Sequence, residues 1–269
     1  MTGVLLVPDN VSGQDQHPLV PPDWVHIDSV LAVYARDAGA FEQLVSRARG
    51  GNPESQVQLG LCYQYGVRVA EDPEEAVRWF LAAAEQGYAL AQWRLGLVFS
   101  NGHGIPENDA EAFQWYRAAA EQGLAAAQEM LGLMFAHGDG VPKNDTEAVW
   151  WFRAAAEQGL ATAQFHLGVS FSNGGGVPEN DAEAVWWYRA AAEQGFAAAQ
   201  HNLGVSFVRG EGVPEDYVRA YAWFNLAAAQ GYDEARRAKG ALEPRMTRSQ
   251  IARAQELSFD LLRINDKSR

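Results

Sequence analysis

The chain has 269 residues, 48% of them hydrophobic, a single cysteine and a formal charge of −13. One thiol, Cys62, excludes an intramolecular disulfide framework and any multi-cysteine metal site, so the composition does not call for an oxidising compartment. Residues 232–269 hold nine Lys/Arg against six Asp/Glu, or +3, which leaves −16 on the first 231 residues and argues against nucleic-acid binding by that body.

Residues 1–24 mix Pro, Gly, Gln and Asp with short apolar runs and no periodicity, and are expected to form a flexible arm. The opening MTGVLLVPDN has no basic stretch and only four consecutive apolar residues, so no signal peptide is expected; no run is apolar and long enough to span a bilayer. A cytoplasmic location without membrane insertion is the resulting expectation. Over residues 25–51 the apolar positions Val30, Leu31, Val33, Tyr34, Phe41, Leu44 and Val45 have helical spacing, interrupted near Gly39. This predicts a helical hairpin that caps the N-terminal end of a longer stack of helices.

Residues 52–231 contain five tandem copies of a 36-residue unit, starting at Asn52, Tyr88, Leu124, Leu160 and Phe196 (position 1). A period of this length means stacked supersecondary units rather than one globular core. Positions 1, 4, 8 and 12 are small or apolar at helical spacing and define the buried stripe of a first helix. Position 9 is Gly in all five copies, although a mid-helix Gly costs about 1 kcal/mol relative to Ala. A β-carbon there would block the close approach of a neighbouring helix.

A G-x-G-V/I-P loop then follows in four copies, for example Gly174, Gly176 and Pro178. Its first Gly suits a left-handed helix end, its second a turn, and Pro stops the helix from running on. The first copy departs from this, with Arg68 and Ala70 in place of the second Gly and the Pro. Asn108, Asn144 and Asn180 are placed as N-caps of a second helix, with Glu111, Glu147 and Glu183 spaced to close a capping box. Positions 25, 28, 29, 32 and 33 should be buried, making Trp79, Trp115, Trp151, Trp187 and Trp223 core anchors, each worth about 3 to 5 kcal/mol against Ala.

After Gly231 the chain begins another first helix. Thr247 and Gln250 predict a capping box for a last helix, whose Ile251, Ala254, Leu257, Leu261 and Leu262 are suited to sealing the open end of the stack. Residues 232–269 thus read as a C-terminal helical cap.

The pattern A-x-x-x-L-G-x-x-F-x-x-G-x-G-V-P-x-N-D-x-x-A-x-x-W-Y/F-x-x-A-A-x-Q-G resembles the Sel1-like repeat, a relative of the tetratricopeptide repeat with a longer loop between its helices. The resemblance implies an all-α, right-handed α-solenoid of helix-turn-helix repeats. It also implies a scaffold or adaptor that binds a protein or peptide in a concave groove lined by the first helix of each repeat.

On a helical wheel, positions 3, 6, 10, 13 and 14 of that helix lie opposite its buried stripe and are expected to face the groove. In the successive copies the candidate binding residues are Tyr65; Trp93, Leu97 and Asn101; Glu129, Leu133 and His137; Phe165, Val169 and Asn173; and His201, Val205 and Arg209. Trp93, Leu133, Phe165 and Arg209 are expected to anchor the ligand. An alternative for position 10 is packing against the next first helix. At position 27, Trp150 and Trp186 either form a second apolar surface for self-association or another partner, or are partly buried against the adjacent repeat.

No catalytic residues, metal ligands or cofactors are expected. The chain lacks S-x-x-K, its histidines share no useful helical spacing, and the G-x-G loops follow a helix without G-K-[ST]. Some cysteine-rich relatives of the repeat bind or cleave β-lactams, but they carry paired cysteines that are missing here. The alternative to an adaptor is an inhibitor or immunity-type protein that clamps one folded partner. The chain itself is expected to be a monomer or a weak homo-oligomer.

Overall fold

The computed structural model describes residues 27–267; the arm expected over residues 1–24 lies outside them. Among the described residues the regular structure is helical, with no strand. Two helices, α1 (Ile27–Arg36) and α2 (Ala38–Arg49), precede the repeats. The first helices of the five repeats are α3 (Pro53–Gln64), α5 (Ala89–Asn101), α7 (Ala125–His137), α9 (Ala161–Asn173) and α11 (Ala197–Arg209). The second helices are α4 (Pro73–Ala84), α6 (Asp109–Glu121), α8 (Asp145–Glu157), α10 (Asp181–Glu193) and α12 (Tyr217–Ala229). Then come α13 (Asp233–Leu242), a 3-10 turn at Glu243–Arg245 and α14 (Arg248–Lys267). From α1 to α13 each helix packs against the ones before and after it in sequence, which makes the chain an α-solenoid. No described helix is long and apolar enough to cross a membrane.

The recurrent Gly at position 9 is explained by its own repeat. A β-carbon on Gly168 would stand 2.7 Å from a ring carbon of Tyr188 at position 29, and Gly60, Gly132 and Gly204 meet Phe80, Phe152 and Phe224 in the same way. Paired helices can therefore close directly over an aromatic ring. The second loop Gly acts between repeats: Gly176 has φ +77, and a β-carbon there would run into the Asp145 carbonyl at the start of the preceding α8. Arg68 occupies this place in the first repeat, which has no repeat before it. It keeps the left-handed backbone, φ +64, and its Nε donates to the Tyr34 carbonyl of α1 at 2.9 Å.

Side-chain N-caps form as expected, with Asn108, Asn144, Asn180, Asp72 and Asp216 each accepting from the backbone N–H three residues on. The reciprocal half of the capping box is not used in the repeats. The backbone N–H of each cap instead donates to the carbonyl at position 12, as Asn180 does to Phe171 at 2.8 Å, so the Glu three residues on has no donor left to reach. Thr247 and Gln250 do make a full capping box.

A second network recurs between repeats. Gln at position 5 (Gln56, Gln92, Gln128, Gln164, Gln200) is buried in every copy. Its Nε2 donates to a carbonyl at the end of the preceding helix, as Gln164 does to Ala156 at 3.2 Å and Gln200 to Ala192 at 3.1 Å. Its Oε1 accepts from the Gln that ends its own repeat: Gln86, Gln122, Gln158, Gln194 and Gln230 donate at 2.7 to 2.9 Å. One buried amide thus ties three successive helices, and none of its polar groups is lost to the core.

The last helix packs on the second helix of the last repeat. α14 lies on α12, where Asn225 donates to Ser258 at 3.4 Å, Ala254 is buried, and Ile251 and Leu261 pack on the core; Leu262 is exposed.

Candidate functional site

Two surfaces were candidates, and the structure changes the first. Position 6 does not point outward. Trp93 is 4% exposed and Glu129 is 0% exposed, so neither can anchor a ligand. Phe165 and His201 are half-buried. Trp93 packs in one cluster with Ala126, Ala127 and Leu131 of the next repeat. Phe165 lies 5.2 Å, centroid to centroid, from Phe196 of the next repeat, and His201 lies 5.5 Å from Tyr232, just after the last repeat. The row is a seam between repeats. A wheel with one buried stripe fails here because a first helix has its own second helix on one side and the preceding second helix on the other, which leaves only a narrow exposed arc.

That arc lies at the C-terminal ends of the first helices. Position 14 is exposed in every repeat: Tyr65 (53%), Asn101, His137, Asn173 and Arg209. Behind it Leu97, Leu133, Val169 and Val205 at position 10 are half-buried, and all four pack on the hydrophobic core. Of the expected row, position 14 is exposed and position 10 is partly committed to structure.

Position 7, passed over by the wheel, joins this edge. Arg94 donates to the Tyr65 side chain of the preceding repeat, and its guanidinium carbon sits 5.2 Å from the Trp93 ring centroid; burial pulls its pKa down to about 10. His166 stacks on Phe152 at 5.0 Å, and burial, with His137 beside it, holds its imidazole down at about 4. Asn202 bonds the Tyr188 side chain. The sequence signal was available, because position 7 is polar or titratable in four of the five copies (Gln58, Arg94, His166 and Asn202), Met130 being the exception.

Glu129 is the outlier of the seam. Neither carboxylate oxygen has a hydrogen-bond partner in normal geometry; burial pushes its pKa up to about 7, and the Thr162 hydroxyl facing it offsets this only in part. Among the described residues no group of three or more His, Cys, Asp or Glu is arranged to hold a metal ion.

On the second surface, Trp150 and Trp186 are each 59% exposed on the outward faces of α8 and α10. Their neighbours Trp151 and Trp187 are buried as core anchors, as expected.

The repeat geometry has a match. The Sel1 repeat family model fits residues 53–88, 89–124, 125–160, 161–196 and 197–232. The chain belongs to the Sel1 repeat family. The solved Sel1 repeat protein of Oxalobacter formigenes is 37% identical, with a TM-score of 0.70 over 74% of this chain and 82% of that one. Protein c5321 of uropathogenic Escherichia coli, a protective antigen displaying an SLR fold, is 29% identical, with a TM-score of 0.57 over 90% of this chain and 61% of that one. No curated protein matches the chain. In the units from residue 89 onward the recurrent position 9 Gly, loop Gly pair and two Gln are all occupied in closing the solenoid.

Proposed function

We propose that this Sel1 repeat chain is a non-catalytic scaffold that holds a protein or peptide partner along the edge of its first helices. One observation supports the reading above others: position 14 is exposed in all five repeats and carries Tyr65, Asn101, His137, Asn173 and Arg209, four different chemistries on a constant framework. An edge of this kind can read a sequence of side chains, one station per repeat. The half-buried row of Leu97, Leu133, Val169 and Val205 supplies apolar contact beside it, and Asn101 and Asn173 can bond an extended backbone. The net negative charge of the repeat body favours a neutral or basic partner.

Affinity capture with mass spectrometry tests this, comparing the wild type with a His137→Ala/Asn173→Ala/Arg209→Ala variant. These side chains are exposed, so the variant keeps its fold, which circular dichroism checks. Specific partners should be lost from the variant, and equal capture by both chains sinks the reading. Several captured partners sharing a short motif would indicate an adaptor; one stoichiometric folded protein would indicate a clamp.

A further inference from the structure

Trp150 and Trp186 occupy the same place in consecutive repeats, and each ring rests edge-on against the core tryptophan beside it, at 4.4 and 4.3 Å between centroids. The rings are therefore held upright on the surface. Elsewhere the chain treats this place differently. In α4 it is Arg78, which pairs with Glu75 at 2.7 Å; in α6 it is Gln114, with Arg117 and Glu121 paired at 2.7 Å alongside. In α12 it is Ala222, 0% exposed beneath α14. Only α8 and α10 leave an aromatic here without a covering helix. Three residues to either side of the two tryptophans Glu147, Arg153, Glu183 and Arg189 are exposed and form no ion pair among the described residues, with the Arg153 guanidinium lying 5.6 Å from the Phe171 ring centroid.

We infer that this face docks a second copy of the same chain. The order of charges selects that occupant. Along each helix the row reads Glu, Trp, Arg in three-residue steps, and residues so spaced are neighbours on a helix surface. A two-fold axis lying across the helices sets α8 antiparallel to α8 of the second copy and α10 to its counterpart. Each Trp then meets its equivalent, each Glu meets an Arg and each Arg a Glu. A partner segment of one charge sign satisfies only half of this pattern; a second copy satisfies all of it, as an isologous contact requires. The packing of α14 on α12 shows that this face of a second helix accepts an added helix. Each ring offers about 150 Å² of exposed surface. Two rings supply about 300 of the roughly 800 Å² per partner in a standard interface, and the four charged side chains with Thr146, Ala154, Ala182 and Ala190 supply contact around them. The association is accordingly reversible and concentration-dependent.

Sedimentation velocity on the full chain, from micromolar to millimolar, tests the inference. The wild-type mass should climb from 29.5 kDa towards twice that value, and Trp150→Ser/Trp186→Ser should associate at least about tenfold more weakly with unchanged helix content. Glu147→Arg/Glu183→Arg and Arg153→Glu/Arg189→Glu should each fail to self-associate and should bind one another when mixed. A wild type that stays at monomer mass throughout overturns the inference. So does a dimer indifferent to the two tryptophans, or a charge-swapped pair that does not recover on mixing.

Discussion

Gln194 donates its Nε2 to the Oε1 of Gln164 at 2.8 Å, and Gln164 passes the link to the Ala156 carbonyl at 3.2 Å. The two residues belong to one repeat and the carbonyl to the one before it, so a single amide couples neighbouring units. Gln164→Leu should cost about 2 to 3 kcal/mol, since it leaves a buried carbonyl and the Gln194 amide without their partner. Gln194→Leu should cost less, because that side chain is exposed and water can replace it. Urea unfolding of both variants checks the ranking, and a reversed order would remove the coupling role.

Gly168→Ala should destabilise the chain by about 1 to 3 kcal/mol despite the better helix propensity of Ala, because the new carbon meets the Tyr188 ring. Shrinking the ring in a Gly168→Ala/Tyr188→Leu variant should return part of that loss relative to Tyr188→Leu alone. Strict additivity in thermal unfolding would show that the ring is not the obstacle.

Glu129 predicts a pH dependence. Its folded pKa of about 7 lies above the ordinary 4.5, so the folded state holds the proton more tightly than the unfolded chain. Its contribution is fully present below pH 4.5 and is lost as pH rises through about 7. His166 acts in the opposite sense: its imidazole is depressed from 6.5 to about 4, and stability falls as pH drops through that window. Glu129→Gln isolates the carboxyl, and should be more stable than the wild type by about 1 to 3 kcal/mol at pH 8 and little different at pH 4.5. Melting curves at several pH values read this difference; parallel curves would place a counter-charge beside Glu129.

Arg68→Ala should loosen the N-terminal helices, since it keeps the left-handed backbone and removes the bond to Tyr34. Arg68→Gly relieves the backbone but loses the same bond. Hydrogen exchange in α1 should therefore rise in both variants, while global stability falls by about 1 to 2 kcal/mol only for Ala. Unchanged exchange in α1 would mean that Arg68 does not hold it.

The solenoid was legible because its landmarks recur in register. Five copies of the position 9 Gly, the Trp at position 28 and the N-cap side chains each report the same local geometry; the Gly and the caps stand where expected, while of the tryptophans Trp151, Trp187 and Trp223 are buried and Trp79 and Trp115 only half-buried. Surface assignment was harder. Trp93 and Glu129 look like ligand-facing residues on a single helix, and their burial is decided by helices 36 residues away that a wheel does not contain. The N-terminal halves of the caps were misjudged for a similar reason: the loop's return to the Phe171 carbonyl takes the hydrogen that Glu183 would have accepted. The glutamine network was missed because Gln reads as a surface residue, although its recurrence at positions 5 and 35 was in plain sight.

The loop Gly contact from Gly176 to Asp145 and the amide link from Gln164 to Ala156 recur at equivalent positions at each junction between whole repeats, Gly104 meeting Pro73 where the later glycines meet Asp. Excising residues 161–196 would bring Gln200 to Ala156 and Gly212 to Asp145, like joined to like. Such a chain can lengthen or shorten by whole units and gain or lose one exposed position 14 side chain each time without redesigning its joints. Position 6 is the exception. There Glu129 would meet Ala198 in place of Thr162, so the seam row records which repeat has grown accustomed to which neighbour.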